Sequence, residues 1–176
     1  LAVTNTAGMF RSPTSSVLHA SSELSFFTWV RVINASAQNT TIASRYSTSL
    51  SSRSWDLRCT HWSLAGRPAI QFGAADGTFS GRVITDSKWI NDATWVHVGF
   101  TFNRGTIAIY VAGKSVPVSV ENGTVPTNIY AGICPLVIGN HCDSNGTLEA
   151  SFVGPIMYSR AVQAAEVPGI MYLRTP

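Results

Sequence analysis

Residues 94–114, TWVHVGFTFNRGTIAIYVAGK, alternate apolar and polar side chains on both sides of a turn. Successive side chains of a strand point to opposite faces of a sheet, so this alternation predicts two strands that each have one apolar face. The apolar face of the first strand consists of Val96, Val98, Phe100 and Phe102. A three-residue turn, Asn103-Arg104-Gly105, is expected to join the strands, with Gly105 in the left-handed conformation. Such a ribbon requires a second layer to cover its apolar side.

Similar short runs, separated by turn residues, recur along the chain and predict an antiparallel β-sandwich. The other predicted strands are Phe26–Ile33, Thr41–Tyr46, Trp55–Trp62, Ala69–Gly73, Phe79–Ile84, Val116–Val120, Leu136–Ile138 and Ile156–Ser159. The only helical pattern lies near the C-terminus, where RAVQAAEV is followed by a break at Pro168-Gly169.

Length and composition favour one domain, residues 1–176, and limit the class of partner. Hydrophobic residues make up 45% of the chain and charged residues 12%, about half the usual share. This composition is typical of extracellular β-proteins and virion proteins. The net charge is +3, but the arginines are scattered singly, so the sequence disfavours nucleic acid as a partner. No segment approaches the ~20 apolar residues of a membrane span.

The three cysteines, Cys59, Cys134 and Cys142, do not form a complete disulfide framework and lack the spacing of a zinc site. Cys59 lies in an alternating run and is predicted to be a small buried hydrophobic residue. A bridge between Cys134 and Cys142 requires the chain to double back, since eight extended residues span roughly 26 Å. We therefore expect free thiols.

Several motifs follow one another in a characteristic order. They are LSFFTWVR (24–31), TIAS (41–44), WDLRC (55–59), the hairpin of residues 94–114, PLVIGN (135–140), FVGPI (152–156) and YSRAVQAAEV (158–167). In this order they resemble the laminin G-like, concanavalin A-like jelly-roll domains, and the resemblance covers about residues 24–172. It implies an all-β, antiparallel jelly-roll sandwich, a fold that serves many functions.

The resemblance also raises the question of calcium, which many members of that family hold near a sheet edge. Members often carry acidic residues after the Phe-x-Gly-x-Ile stretch, whereas here Ile156 is followed by Met157-Tyr158-Ser159. The alternative is a calcium ion held by loop oxygens of residues 74–77 or 139–146, although turn formation explains both loops more simply. We predict no cofactor and no metal ligands.

The carboxylates do not show the pattern of a glycan-cleaving site. Two acids on one strand face would be expected for a hydrolase, and no two of the nine acids fall in that way. There is no nucleophile elbow, and the four histidines lack metal spacing. His97, in a strand, is expected to be structural, and His141, beside Asp143 in a loop, is the histidine of most interest. We predict no enzymatic activity and no catalytic residues.

The best candidate for ligand binding is the stretch SWDLRCTHW, residues 54–62. Alternation places Trp55, Leu57 and Cys59 on the core face. The opposite face carries an acid, a base, a hydroxyl and an aromatic ring, which are Asp56, Arg58, Thr60 and Trp62. Aromatic rings stack on sugars and polar groups fix their hydroxyls, so these residues are predicted to bind a ligand. The alternative is that Trp62 lies under a loop and Asp56 pairs with Arg58.

We therefore predict a recognition or adhesion module, extracellular or on a virion surface, that binds a glycan or a protein surface. As part of a larger assembly it would contact neighbouring subunits, without nucleic acid and without inserting into a membrane. Two alternatives stay open. One is a purely structural virion or appendage domain without a ligand, and the other is a glycan-cleaving hydrolase or lyase of the jelly-roll type.

Overall fold

The computed structural model describes residues 2–3, 10–12, 22–33, 40–49, 52–59, 66–74, 78–144, 148–173 and 175–176. Within this part of the chain, two antiparallel sheets pack face to face, which confirms the predicted all-β sandwich.

Sheet I has the strand order β1-β13-β3-β8-β9-β10 among the described residues. Its strands are β1 (Ala2–Val3), β3 (Glu23–Val32), β8 (Trp95–Asn103), β9 (Thr106–Val111), β10 (Lys114–Val116) and β13 (Ala150–Tyr158). Sheet II has the order β11-β7-β6-β5-β4-β12-β2. Its strands are β2 (Phe10–Arg11), β4 (Thr41–Ser47), β5 (Ser52–Arg58), β6 (Ala69–Gly73), β7 (Phe79–Thr85), β11 (Val118–Gly123) and β12 (Val137–Ile138).

The hairpin of β8 and β9 supplies the inner face of sheet I. Val98, Phe100 and Phe102 are completely buried between the sheets. From sheet II, the Trp55 ring lies 5.3 Å from the Phe100 ring, and the Phe72 ring lies 5.4 Å from the Phe102 ring, measured between centroids. These contacts confirm that every second residue builds the core.

The hairpin turn is shorter than predicted. Asn103 pairs with Thr106, so Arg104 and Gly105 alone form the turn. Both have positive φ, 47° and 91°, which is the geometry of the two-residue turn that matches the twist of a β-ribbon.

The outer face of sheet I is also partly buried. Helix α1 (Val167–Tyr172) and the residues before it pack on this face and form a second apolar core. Its buried members are Phe27, Tyr110, Val162, Val167 and Ile170. The helix contains Pro168-Gly169, which was predicted as its end, because proline at the first turn of a helix costs no hydrogen bond. No helix in the described ranges has the length and apolar character needed to cross a membrane.

Candidate functional site

The alternation along β5 directs its side chains to the two faces of sheet II. Trp55 and Leu57 lie in the core, as predicted, while Asp56 and Arg58 point to the outer face. These two side chains are nevertheless buried, with Asp56 0% and Arg58 7% exposed. Thr60 and Trp62 lie outside the described residues. Ligand binding by the four therefore stays a prediction, and Asp56 and Arg58 are not the solvent-facing groups that alternation suggested.

The burial of Asp56 is made possible by donors that converge on its carboxylate. Thr41 Oγ1 donates to Oδ1 at 2.9 Å, and Gln71 Nε2 donates to Oδ2 at 3.0 Å. The Nε of Arg58 also donates to Oδ2, and Nε2 of His141 lies 2.9 Å from the same oxygen. We call Asp56, Arg58, Gln71 and His141 the outer-sheet network.

Opposing effects set the charge state of Asp56. Burial acts to raise the pKa of the carboxyl, but Arg58 and His141 act more strongly and hold the pKa well below its ordinary value. Asp56 is therefore ionised at neutral pH. Its pairing with Arg58 agrees with the alternative that the sequence left open.

Three residues at the edge of the outer-sheet network, Arg53, Arg82 and Glu121, are partly or fully exposed to solvent, and we call them its margin. The register of sheet II aligns Arg82 with Gln71, and Gln71 with Asp56, across β7, β6 and β5. Arg82 Nε lies 3.2 Å from Glu121 Oε2. The guanidinium of Arg53 lies 5.9 Å from the centre of the Tyr46 ring, and that ring is 5.3 Å from the His141 imidazole.

Within the described residues, four nitrogens of this region are buried without a hydrogen-bond partner. They are Arg53 Nε, Arg82 Nε, Arg82 Nη1 and His141 Nδ1, and of these Arg82 Nε takes part in the ion pair with Glu121. A buried polar nitrogen without a partner is costly, and such groups in a native protein are often satisfied by a ligand or an ordered water. These atoms have almost no exposed surface, whereas the Arg53 and Arg82 side chains that carry two of the groups are partly exposed and are suited to an oxygen-rich partner.

The loop after β12 carries His141 into the network, and Asp143 fixes this loop. Asp143 Oδ2 accepts from the Thr48 and Ser49 backbone N–H groups at 2.8 and 3.1 Å, and from the Thr48 hydroxyl at 3.0 Å. Although partial burial acts to raise the pKa of Asp143, these hydrogen bonds lower it well below its ordinary value. His141 Nδ1 lies 3.9 Å from Asp143 Oδ1.

The two loops considered for calcium are only partly described, because residues 75–77 and 145–147 lie outside the described ranges. In the part that the structure covers, no group of three His, Cys, Asp or Glu side chains is placed to hold a metal ion. The described oxygens of Asp143 instead bind the β4–β5 turn.

Elsewhere on the molecule, an apolar cleft of about 140 Å³ lies between β11 and the β8–β9 hairpin. Its lining residues are Val83, Gly105, Ile107, Val118, Ser119, Val120 and Val125. These residues carry one hydroxyl and no charged or amide side chain, so the cleft offers little for a polar ligand.

Sequence reasoning identified part of the outer-sheet network and missed the rest. It placed Asp56 and Arg58 on one face and singled out His141, but did not connect them. Gln71 and Arg82 were missed, although each is polar at an outward position of a strand that is otherwise mostly apolar or small. That signal could have found them. His97 is buried under α1, where its ring stacks on Phe27 at 5.8 Å, in agreement with a structural role.

Comparisons with solved structures show the same sandwich in binding domains. The receptor-binding domain of botulinum neurotoxin C/D mosaic serotype has a TM-score of 0.62 at 11% identity, over 92% of this chain and 39% of that one. The binding domain of Paraclostridial Mosquitocidal Protein 1 has a TM-score of 0.59 at 14% identity, over 85% of this chain and 36% of that one. The chain thus spans little more than a third of either domain.

A third similar structure is domain 4 of AbnA, an extracellular GH43 arabinanase from Geobacillus stearothermophilus, in complex with arabinotriose. It has a TM-score of 0.61 at 15% identity, over 85% of this chain and 66% of that one. At these identities the likeness shows the fold, and it confirms the predicted jelly-roll type. No curated protein matches in sequence.

The family comparison extends over nearly the whole chain. The model of the laminin G family described as the concanavalin A-like lectin/glucanases superfamily matches residues 5–168. This range includes each motif on which the resemblance was based. The chain therefore belongs to the concanavalin A-like lectin/glucanases superfamily.

Proposed function

We propose that this chain is a non-enzymatic recognition module that binds a glycan or a protein surface on the outer face of sheet II. The observation that carries the proposal is the margin of the outer-sheet network, where Arg53 and Arg82 are partly exposed and each has a guanidinium nitrogen without an acceptor in the described residues. A sugar hydroxyl or a backbone carbonyl would accept hydrogen bonds from the exposed part of these groups. The other outer face, that of sheet I, is covered by the chain's own C-terminal segment.

In this proposal the predicted ligand residues have two roles. Asp56 and Arg58 are positioning residues, because they are buried and hold Gln71 and His141 beneath the margin. Thr60 and Trp62, together with Arg53 and Arg82, would contact the ligand. The ring of Trp62 would stack on an apolar sugar face.

The functions of similar structures support recognition as the general role. Two of them are receptor-binding or binding domains of toxins, and one was solved with arabinotriose. By analogy we propose that the chain acts outside the cell, as one part of a larger protein or assembly. A virion or appendage location belongs to the same proposal.

The state of the carboxylates favours binding over glycan cleavage. A glycoside hydrolase needs an acid whose pKa is raised so that it can protonate the leaving group. Asp56 and Asp143, the two carboxylates nearest His141, both have a lowered pKa. Neither is suited to that role.

The proposal is tested on a glycan array that includes arabinotriose, with wild-type protein and the variants Trp62→Ala and Arg53→Gln. We expect binding to at least one glycan by the wild type and a loss of about tenfold or more for each variant. Arg104→Gln, which changes an exposed arginine on the β8–β9 turn, serves as the control and should bind like the wild type.

Three outcomes would contradict this assignment. Equal binding by the wild type, Trp62→Ala and Arg53→Gln would show that the binding site does not lie on sheet II. A blank array, together with no binding to cell-surface protein, would favour the purely structural alternative. Sugar release that a single carboxylate substitution abolishes would establish an enzyme instead.

A further inference from the structure

Two of the three cysteines, Cys134 and Cys142, lie on the segment that contains β12 and His141. Cys134 and Cys142 lie on either side of β12, and the chain turns back after this strand at Gly139, whose φ is 80°. The Cys134 Sγ lies beside the carbonyl oxygen of Ser52, and Ser52 pairs with Ser47 of β4. Cys142 binds the backbone of Tyr46, the residue next to Ser47, so the two side chains are neighbours, and both thiols are free in the structure.

Contacts with β4 hold both cysteines in place independently of their sulfur atoms. Arg45 Nε donates to the Cys134 carbonyl oxygen at 2.9 Å. The Cys142 backbone N–H donates to the carbonyl oxygen of Tyr46, the next residue of β4, at 3.0 Å. The two cysteines are thus fixed against consecutive residues of one strand.

The two thiols differ in their access to solvent. Cys134 is 1% exposed, and its Sγ donates to the Ser52 carbonyl oxygen at 3.6 Å. Burial raises the pKa of Cys134 to about 12. Cys142 is partly exposed, so a dissolved reagent reaches its sulfur first. Cys59 is buried in the core beside Thr40, with Sγ 2.9 Å from Oγ1, and serves as an internal control.

We infer that Cys134 and Cys142 are an oxidisable pair that closes to a disulfide when the protein meets a small-molecule disulfide such as oxidised glutathione. The Cys142 thiolate attacks one sulfur of the reagent, forming a mixed disulfide and releasing one reagent thiolate. The Cys134 sulfur then loses its proton and attacks the Cys142 sulfur, releasing the second thiolate. Two protein thiols are oxidised to one disulfide, and the reagent is reduced to two thiols.

The bridge would close the segment that contains β12 and His141. Because contacts with β4 and its partner strand already hold the two cysteines side by side, the bridge would add a constraint with little movement of the backbone. A disulfide of this kind stabilises the fold mainly by restricting the unfolded chain. Oxidation would therefore fix the loop that delivers His141 to the outer-sheet network.

The test treats the native protein with oxidised glutathione, followed by peptide mapping and a thermal melt. In the wild type we expect one bridge, Cys134–Cys142, a free Cys59, and a rise in Tm of about 5 °C that reductant reverses. Cys59→Ser should behave in the same way. Cys134→Ser should accumulate a mixed disulfide at Cys142, and Cys142→Ser should stay unmodified while folded.

Other results overturn the inference. Three free thiols after treatment, or a mixed disulfide at Cys142 of the wild type that never resolves, would show that the sulfurs cannot bond. A bridge accompanied by a fall in Tm would show that it forms only by distortion. Modification of Cys142→Ser at Cys134 as fast as the wild type reacts would contradict the proposed order of steps.

Discussion

At the scale of single residues, one buried carboxylate organises the outer face of sheet II. Asp56 is fully removed from solvent, yet it is ionised, because Arg58 and His141 lower the pKa of its carboxyl. Gln71 and Thr41 also donate hydrogen bonds to it. A buried charge that loses its partner destabilises a protein strongly, whereas an intact pair contributes little net stability. The main role of the outer-sheet network is therefore to position side chains, and it adds little net stability.

The variant Asp56→Asn tests this account of the network. It removes the charge that compensates Arg58, so we expect the free energy of unfolding to fall by about 3 kcal/mol. Denaturant unfolding at pH 7 measures the change. Asp86→Asn, at an exposed position beyond β7, should change stability by less than about 0.5 kcal/mol. Equal effects of the two substitutions would contradict the account.

His97 should make stability depend on mildly acidic pH. Burial under α1 lowers the pKa of His97 to about 4, against about 6.5 in an unfolded chain. The unfolded state therefore binds the proton more readily, so the contribution of neutral His97 is complete above pH 6.5 and is lost as the pH falls towards 4. The lowered pKa of Asp56 affects only a more acidic interval, below about pH 4.

Urea unfolding between pH 7 and pH 4 measures this dependence. The wild type should lose stability across the interval, and His97→Phe should lose less, since its ring cannot take up a proton. If both proteins show the same slope between pH 6.5 and pH 4, another group causes the loss.

How much of the site could be predicted depended on distance along the chain. The side-chain alternation of one strand placed Asp56 and Arg58 on a common face, because that is a local property. The contact with His141 joins residues 85 positions apart and follows from the path of the β12 loop. Alternation also could not predict that the outward face would be buried, since burial depends on the rest of the fold.

At the scale of elements, most strands were predicted because their apolar periodicity is strong. Two predictions were wrong in their bounds: Val116–Val120 is divided between β10 and β11, which lie in different sheets, and β13 begins six residues before Ile156. Ala69–Gly73 has the predicted bounds, while β3 begins three residues earlier than expected and β5 ends at Arg58. The sequence-based helix was misplaced, since its alanine-rich stretch forms turns and α1 follows it. Helix propensity is a weak signal that tertiary packing overrides, and here Val167 and Ile170 anchor the helix to sheet I.

Two glycines provide a matched test of element packing. A Cβ at Gly99 would lie 2.3 Å from the Phe26 carbonyl oxygen and 2.3 Å from Phe27 Cδ1. Gly99→Ala should therefore lower the free energy of unfolding by about 2 kcal/mol through overpacking between β3 and β8. A Cβ at Gly169, in α1, would meet open space, so Gly169→Ala should raise the free energy of unfolding by up to about 1 kcal/mol. Thermal or urea denaturation measures both changes in the free energy of unfolding. If the two substitutions change it in the same direction, the packing described here is contradicted.

At the scale of the whole molecule, the described residues form two apolar cores of unequal size. The larger lies between the sheets, and the smaller lies between sheet I and the C-terminal segment. Trp29 Nε1 donates to the Met171 carbonyl oxygen at 3.1 Å and helps to attach this segment. Much of the outer face of sheet I is thus covered by the chain itself, which supports our proposal that sheet II carries the binding face.

The smaller core should contribute measurably to stability. Val167 is fully buried, so Val167→Ala should lower the free energy of unfolding by about 2 kcal/mol. Val120→Ala, at a residue that is 58% exposed on β11, is the control and should cost less than about 0.5 kcal/mol. A negligible effect at Val167 in urea unfolding would mean that the C-terminal segment is not part of the folded unit.

The central claim is that sheet II presents the recognition face, and amide hydrogen exchange tests it most directly. Exchange is measured with and without the glycan that binds most tightly on the array. The account predicts added protection at residues 52–58, 69–73 and 79–85, with no change on the outer face of sheet I. Protection confined to residues 95–111 and 150–172 would contradict it, because the ligand would then lie on the face that the C-terminal segment covers.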